Sequence, residues 1–265
     1  MTPFPPPGYP PPPTPAALWL FERYLRRQAG RHFSAVHWTT SGAPERWDRS
    51  VPTIFVANHS NWWDGFLAFL LTRRLGLSFQ VLMEARHLAR YRVFLRLGAL
   101  PLRRDRAREA YADLNAAAGY LRPGVGLWVF PQGERRPPAA SLVRCERGAA
   151  HLALGHPGPV RICPVAFRYA FVGEQLPEAF AMVGEEWLLS GRRSAAPETA
   201  NRETLMAAIE DRLSHTVAAL DALVGPERLE AFRPLAEGRL SVNKRMDRFR
   251  HAIGLLRGPF AARNG

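Results

Sequence analysis

The feature that most limits what this chain can fold into is a short apolar run that stops abruptly. Residues 54–57 read Ile-Phe-Val-Ala, a β-prone stretch with the character of a buried strand. It ends at Asn58-His59-Ser60-Asn61, four polar residues suited to a turn or a helix start. Trp62, Trp63 and Asp64 then lead into an apolar, helix-like run to Leu75. His59 therefore stands where a strand ends, and Asp64 stands about one turn into the next segment. In a continuous helix, residues five apart point roughly 140° away from each other. These two side chains can meet only because the strand breaks before the helix begins. A carboxylate on one ring nitrogen would fix the imidazole tautomer and stabilise its cation, leaving the other nitrogen to take a proton from a hydroxyl.

The same alternation runs through the chain. Residues 32–40 look extended, 63–75 helical, 77–83 a strand, and 86–97 a helix that is both basic and apolar. Leu100 and Leu102 lie in an extended piece that closes at Arg103-Arg104-Asp105. A helix over 106–122 is stopped by Pro123-Gly124, and 127–130 is a buried strand running into the irregular loop Pro131-Gln132-Gly133-Glu134-Arg135-Arg136. A helix over 142–154, strands over 160–171 and 180–184, and a polar loop over about 190–200 come next. In the helix over 204–224, Leu205, Ile209, Leu213, Val217, Leu220 and Leu223 fall on one face. This order predicts one α/β domain over 31–226, a mostly parallel mixed central sheet flanked by helices. Residues 227–265 read as a basic helical extension.

The N-terminal thirty residues have a different character. Residues 1–13 are mostly proline and should form a disordered tail. Thr14-Pro15 is a good helix start, and residues 14–30 put Leu18, Phe21 and Leu25 at helical spacing. Trp19, Leu20 and Tyr24 widen that face, and Arg23, Arg26 and Arg27 flank it. Such a helix suits either a membrane interface or the protein's own core.

Charge narrows the partners. The net charge is +13 and rests almost wholly on arginine, since Lys244 is the only lysine. Such a surface favours anions, and an anionic membrane is the expected one. The arginines are scattered and no nucleic-acid motif is present, so nucleic acid is not an expected partner. No apolar run reaches transmembrane length and no secretory pattern opens the chain, so the expected location is the cytoplasmic face of a membrane. Cys145 and Cys163 lack metal-ligand spacing and read as reduced thiols. No metal or cofactor is expected. A Gly-x-Ser-x-Gly elbow is absent, which argues against a serine hydrolase of that kind.

Four stretches in order carry a family resemblance. Residues 58–64, NHSNWWD, resemble the first signature block of the glycerolipid acyltransferases of the lysophosphatidic acid acyltransferase type. Gly98-Ala99-Leu100-Pro101-Leu102-Arg103-Arg104 is similar to the second block, and residues 130–135, FPQGER, resemble the third, usually F-P-E-G-T-R. Cys163-Pro164-Val165 is similar to the fourth, and Arg147-Gly148-Ala149-Ala150 fits the segment between the third and fourth. The resemblance covers roughly residues 32–225. It implies a glycerol-3-phosphate acyltransferase-like fold and transfer of a fatty acyl group from acyl-CoA or acyl carrier protein to a lipid hydroxyl. It makes His59 the general base, oriented by Asp64. Arg104 and Arg135 would hold an anionic headgroup, and Gly133 would let backbone approach the substrate. Asn58, Gln132, Glu134 and Pro164 are further substrate-binding positions of the matched blocks.

The chemistry agrees with the residues. A thioester is already activated, so a positioned hydroxyl beside a base suffices without a covalent intermediate. Backbone amides near Gly133 or a nearby arginine could stabilise the oxyanion. Two positions depart from the pattern, with Gln132 in place of glutamate and Glu134 in place of threonine. They leave the acceptor open, with 1-acyl-glycerol-3-phosphate as the family default. Trp62 and Trp63 either wall the acyl slot, meet lipid, or pack in the core. The competing functions are an inactive basic module on anionic lipid, and a hydrolase in which His59 activates water.

Overall fold

The computed structural model describes residues 10–42, 47–136, 144–190 and 202–239. The chain enters through α1 (Pro15–His32), whose first turn is capped by the Thr14 hydroxyl accepting from the Ala17 amide at 3.3 Å. Then come β1 (Ala35–Thr40), β2 (Thr53–Ala57), α2 (Asp64–Arg74), β3 (Ser78–Glu84), α3 (Ala85–Arg90), a 3₁₀ turn over Arg92–Leu97, β4 (Ala99–Leu102), α4 (Ala107–Ala118) and β5 (Val125–Val129). The second half adds α5 (Gly148–Gly155), β6 (Val160–Ala170), β7 (Glu178–Val183), β8 (Trp187–Leu189), α6 (Arg202–Val224), a short 3₁₀ turn and β9 (Arg233–Glu237).

One sheet gathers these strands in the order β4-β3-β5-β2-β6-β7-β1-β9, with β8 against β6. β2 lies inside it, parallel to β5 on one side and to β6 on the other. β3 is parallel to β4 and β5, and β1 is parallel to β7. The antiparallel pairs, β6 with β7 and β8 and β1 with β9, are confined to the other half. The expected mostly parallel mixed sheet is what the chain forms.

The apolar runs belong in the middle because both faces are covered. Phe55 and Ala57 of β2 point into a core shared with α1 and α2, through Leu25, Leu67 and Phe69. Ile54 and Val56 point into the opposite core with Tyr120, Leu152 and Ile209. The period-two alternation of a strand thus feeds two cores at once. Because β2, β3, β4, β5 and β6 run the same way, their carboxyl ends open on one edge of the sheet. That is where ligands bind in open α/β sheets.

Several sequence expectations are corrected. The helix expected over 86–97 is broken at Tyr91, where α3 gives way to the 3₁₀ turn. Gly98 then takes φ +100°, and a Cβ there would collide with the Phe79 carbonyl. The helix expected from 142 begins only at Gly148, with 142 and 143 outside the described residues. The C-terminal region is not helical where it is described beyond residue 231. Arg233–Glu237 is a strand antiparallel to β1, so the sheet continues past the expected boundary at 226. Leu235 and Ala236 are the reason, since they are buried in the sheet's first core. The short strand β8 was not expected. Residues 1–9 of the tail and 240–265 of the extension lie outside the described residues.

Candidate active site

The turn between β2 and α2 builds the centre of the site. Asp64 is the first residue of α2 and is completely buried. An unpartnered carboxylate there would cost several kcal/mol in lost hydration. Four donors supply the compensation. Oδ2 accepts from the Ser60 amide at 2.7 Å, the Asn61 amide at 2.8 Å and His59 Nδ1 at 2.8 Å. Oδ1 accepts from the Tyr169 hydroxyl at 2.6 Å. The two amides sit in the turn that leads into α2, so the carboxylate pulls the polar turn around itself. An ionised carboxylate only accepts, so Nδ1 of His59 carries the proton and Nε2 is left as the basic nitrogen.

His59 is held from the other side as well. Its backbone amide donates to Gln132 Oε1 at 2.6 Å, and its carbonyl accepts from the Arg136 amide at 2.8 Å. The Phe130 ring lies 4.6 Å from the imidazole. The loop after β5 is thereby tied to the turn after β2, and these two strands are parallel neighbours in the sheet. The imidazole side chain remains 24% exposed, against 0% for Asp64. The imidazole is open while its carboxylate partner is not.

The anion-binding candidates occupy the next layer outward. Arg104, just past β4, bonds both the Gly133 carbonyl and the Glu146 carboxylate. Gly133 takes φ +74°, and a Cβ there would run into both Arg104 and Glu146. No other residue type fits without displacing that pair. Arg136 pairs with Glu134 at 3.1 Å. Among the described residues Arg135 forms no ion pair. Arg103 is not part of this layer, because it fixes the end of β4 to α4 through both oxygens of Asp113 and through Glu109.

Three residues expected at the substrate also make contacts within the protein. The Asn58 side chain is buried and bonds the Phe167 backbone at both ends, donating to its carbonyl at 3.0 Å and accepting from its amide at 2.7 Å. It extends the β2–β6 pairing by one rung. Pro164 is buried within β6 beside Val56, and its carbonyl accepts from the Gly184 amide at 2.9 Å. Gln132 spends its side-chain oxygen on the His59 amide.

Sequence reasoning missed Tyr169, Phe130 and Glu146. Tyr169 sits near the carboxyl end of β6, five residues after Pro164. The only available signal was a tyrosine in a strand whose end should reach the same edge as His59. Burial, with the Asp64 carboxylate beside it, pushes the Tyr169 phenol well above its ordinary range, so it stays a donor. Burial likewise pushes Cys145 up to about 12, with Glu210 adding to it, and holds Cys163 well above the usual thiol range. Neither thiol is poised as a nucleophile.

The aromatic pair after His59 divides its roles. Trp63 is buried against Phe33 at 4.9 Å, whereas Trp62 is 57% exposed and meets Phe66. Helix α1 divides the same way. Leu18, Leu25 and Ala29 are buried, while Trp19, Leu20 and Tyr24 are exposed beside Arg23 and Arg27. Phe21 joins the two aromatic groups, lying 6.0 Å from Phe66. Among the described residues no helix is long and apolar enough to cross a membrane.

The family model described as Acyltransferase matches residues 40–168, a span that runs from the end of β1 to near the end of β6 and includes His59, Asp64, Arg104 and Gly133. No curated protein matches the chain. A solved structure that does match is the crystal structure of the 1-acyl-sn-glycerophosphate (LPA) acyltransferase PlsC from Thermotoga maritima. It is 20% identical, with a TM-score of 0.49, over 77% of this chain and 80% of that one. Over residues 40–168, just under half of its length, the chain matches the acyltransferase family.

Proposed function

We propose that the protein is an O-acyltransferase that moves a fatty acyl group from a thioester, acyl-CoA or acyl carrier protein, to the hydroxyl of a lysophospholipid or related lipid, with 1-acyl-glycerol-3-phosphate as the default acceptor. The observation that carries this reading is the His59–Asp64 contact of 2.8 Å, with the imidazole open at the carboxyl edge of the sheet. Nε2 takes the proton of the acceptor hydroxyl as its oxygen bonds to the thioester carbonyl carbon. The tetrahedral intermediate collapses by breaking the carbon–sulfur bond, and the imidazolium returns the proton to the leaving sulfur. Asp64 stabilises the imidazolium in between. Arg135, and Arg104 once released from Glu146, are the cations available to an anionic headgroup. Replacing His59 with alanine should lower acyl transfer by about 10²–10⁴-fold. Thioester consumption with a panel of lysolipids measures it. Undiminished transfer removes His59 from the mechanism, and free fatty acid without acylated acceptor reassigns the protein as a hydrolase.

We further propose that the exposed aromatic edge of α1 and Trp62 rests on an anionic membrane at its cytoplasmic face. Support comes from their exposure, from the flanking arginines, and from Trp62 lying three residues from His59, which would set the lipid surface beside the base. Changing Trp19, Leu20 and Tyr24 together to serine should abolish co-sedimentation with vesicles containing phosphatidylglycerol. Unchanged binding removes α1 from the docking surface.

A further inference from the structure

Asp64 is held by more than the histidine and the turn amides. We propose that Tyr169 is a positioning residue of the acyltransferase site, whose hydroxyl, by donating to Asp64, tempers the carboxylate so that His59 stays neutral at the pH where it must accept a proton. The inference rests on the reading of His59 as the base.

The geometry is specific. Tyr169 comes from β6, on the far side of the turn from Gln132 and Phe130, so it reaches Asp64 from a different element than any other donor. Its hydroxyl is 2.6 Å from Oδ1, and no other described donor bonds that oxygen, whereas Oδ2 is shared by His59 and two amides. The ring is stacked on Phe33 at 5.9 Å, and Phe33 in turn packs edge-on against Trp63. The hydroxyl is thereby aimed by buried apolar contacts, and a phenylalanine would fill the same space.

The electrostatic consequence has a definite sign. The positive end of the O–H dipole lowers the negative potential that Asp64 presents to the imidazole. Without it the potential at His59 becomes more negative, the imidazolium is favoured, and less free base is present at a given pH. The other titratable and charged groups on the surrounding elements are Glu134, Arg135 and Arg136 on the loop after β5, and Arg104 and Glu146 about Gly133. To these are added Arg168, which pairs with Asp221, and His32, whose ring lies 5.5 Å from Trp63. None of them contacts the Tyr169 hydroxyl, so its removal leaves their charges in place.

The test is Tyr169→Phe, read in two ways on the full chain. The acidic limb of the pH profile of kcat/KM should move to higher pH by roughly half a unit to one unit. The ¹H–¹⁵N signals of the His59 imidazole, followed in substrate-free protein, should show its protonation midpoint moving the same way. At the alkaline plateau kcat should stay within a few-fold of the parent, because base and substrate groups are intact. Tyr169→3-fluorotyrosine, with a more strongly donating phenol and nearly the same shape, should move both readouts toward lower pH. It also serves as the folded variant if phenylalanine is not tolerated. An even loss of activity at all pH values with the imidazole titration unmoved overturns the inference. A shifted imidazole titration with no thioester turnover on any acceptor instead upholds the Tyr169–Asp64–His59 coupling and sinks the enzymatic reading beneath it.

Discussion

Two ionic groups lie side by side at the carboxyl edge of the sheet and are built on opposite plans. Asp64 has no exposed surface and is met by four donors from two segments, three in the turn after β2 and one on β6. Glu146 meets Arg104 with side chains 55% and 30% exposed, and the arginine's other bond is to a backbone carbonyl. The first arrangement is not readily exchanged, since each donor that leaves weakens the compensation of a charge in the interior. The second exchanges readily, because water competes for both partners and the net worth of such a pair is small. On the acyl-transfer reading proposed above, the difference matches what each place would have to do. A base has to be aligned before substrate arrives, whereas a headgroup site has to give up its internal partner when an anion enters.

The largest effect should come from breaking the buried arrangement. Asp64→Asn keeps the shape but removes the charge, and it turns one acceptor atom into a donor facing either the tyrosine hydroxyl or the turn amides. Acyl transfer should fall by about 10²–10⁴-fold, because the tautomer of His59 is no longer imposed and its cation no longer stabilised. The fold should also lose about 2 kcal/mol, the scale of a buried hydrogen bond to a charged group left unmade. Steady-state turnover and urea unfolding measure the two losses. A loss of activity no greater than that from an exposed charge swap would mean the burial of Asp64 has no catalytic use.

That contrast also explains what could be read in the sequence. The fold was legible because β2, β5 and β6 are covered on both faces, so their apolar runs carry no ambiguity. Helix α1 was legible at its start because Thr14 and Pro15 have local reasons to be there. The strand β9 was not legible, because its short apolar stretch takes meaning only from the edge of β1 that it joins. The His59–Asp64 pair could be inferred from spacing alone, since both ends lie within one turn. Tyr169 could not, since its partner is 105 residues away and meets it only through the β2–β6 register. The internal bonds of Asn58 and Gln132 were not legible for the same reason. Each is a polar residue at a site edge, and in each case the bond it makes is to backbone on a neighbouring strand or turn.

The smaller effect belongs to the exposed pair, and it should have the opposite sign. Glu146 occupies the guanidinium that, on the proposed reading, an anionic headgroup would use, so it would compete with substrate. Glu146→Gln removes the competitor's charge and leaves Gly133, the loop after β5 and the His59 contacts unaltered. The Michaelis constant for a phosphate-bearing acceptor should drop by about two- to five-fold, the scale of an exposed ion pair, with kcat unchanged. The advantage should shrink in high salt, where screening weakens both the internal pair and the headgroup's approach. It should also be absent for an acceptor with no net charge, because such a molecule does not displace Glu146. Kinetics with a phosphate monoester lysolipid and an uncharged monoacylglycerol, each at low and high salt, separate these cases. A raised Michaelis constant for the charged acceptor would show that Glu146 holds Arg104 in the orientation the headgroup needs, and the two ionic groups would then share one plan.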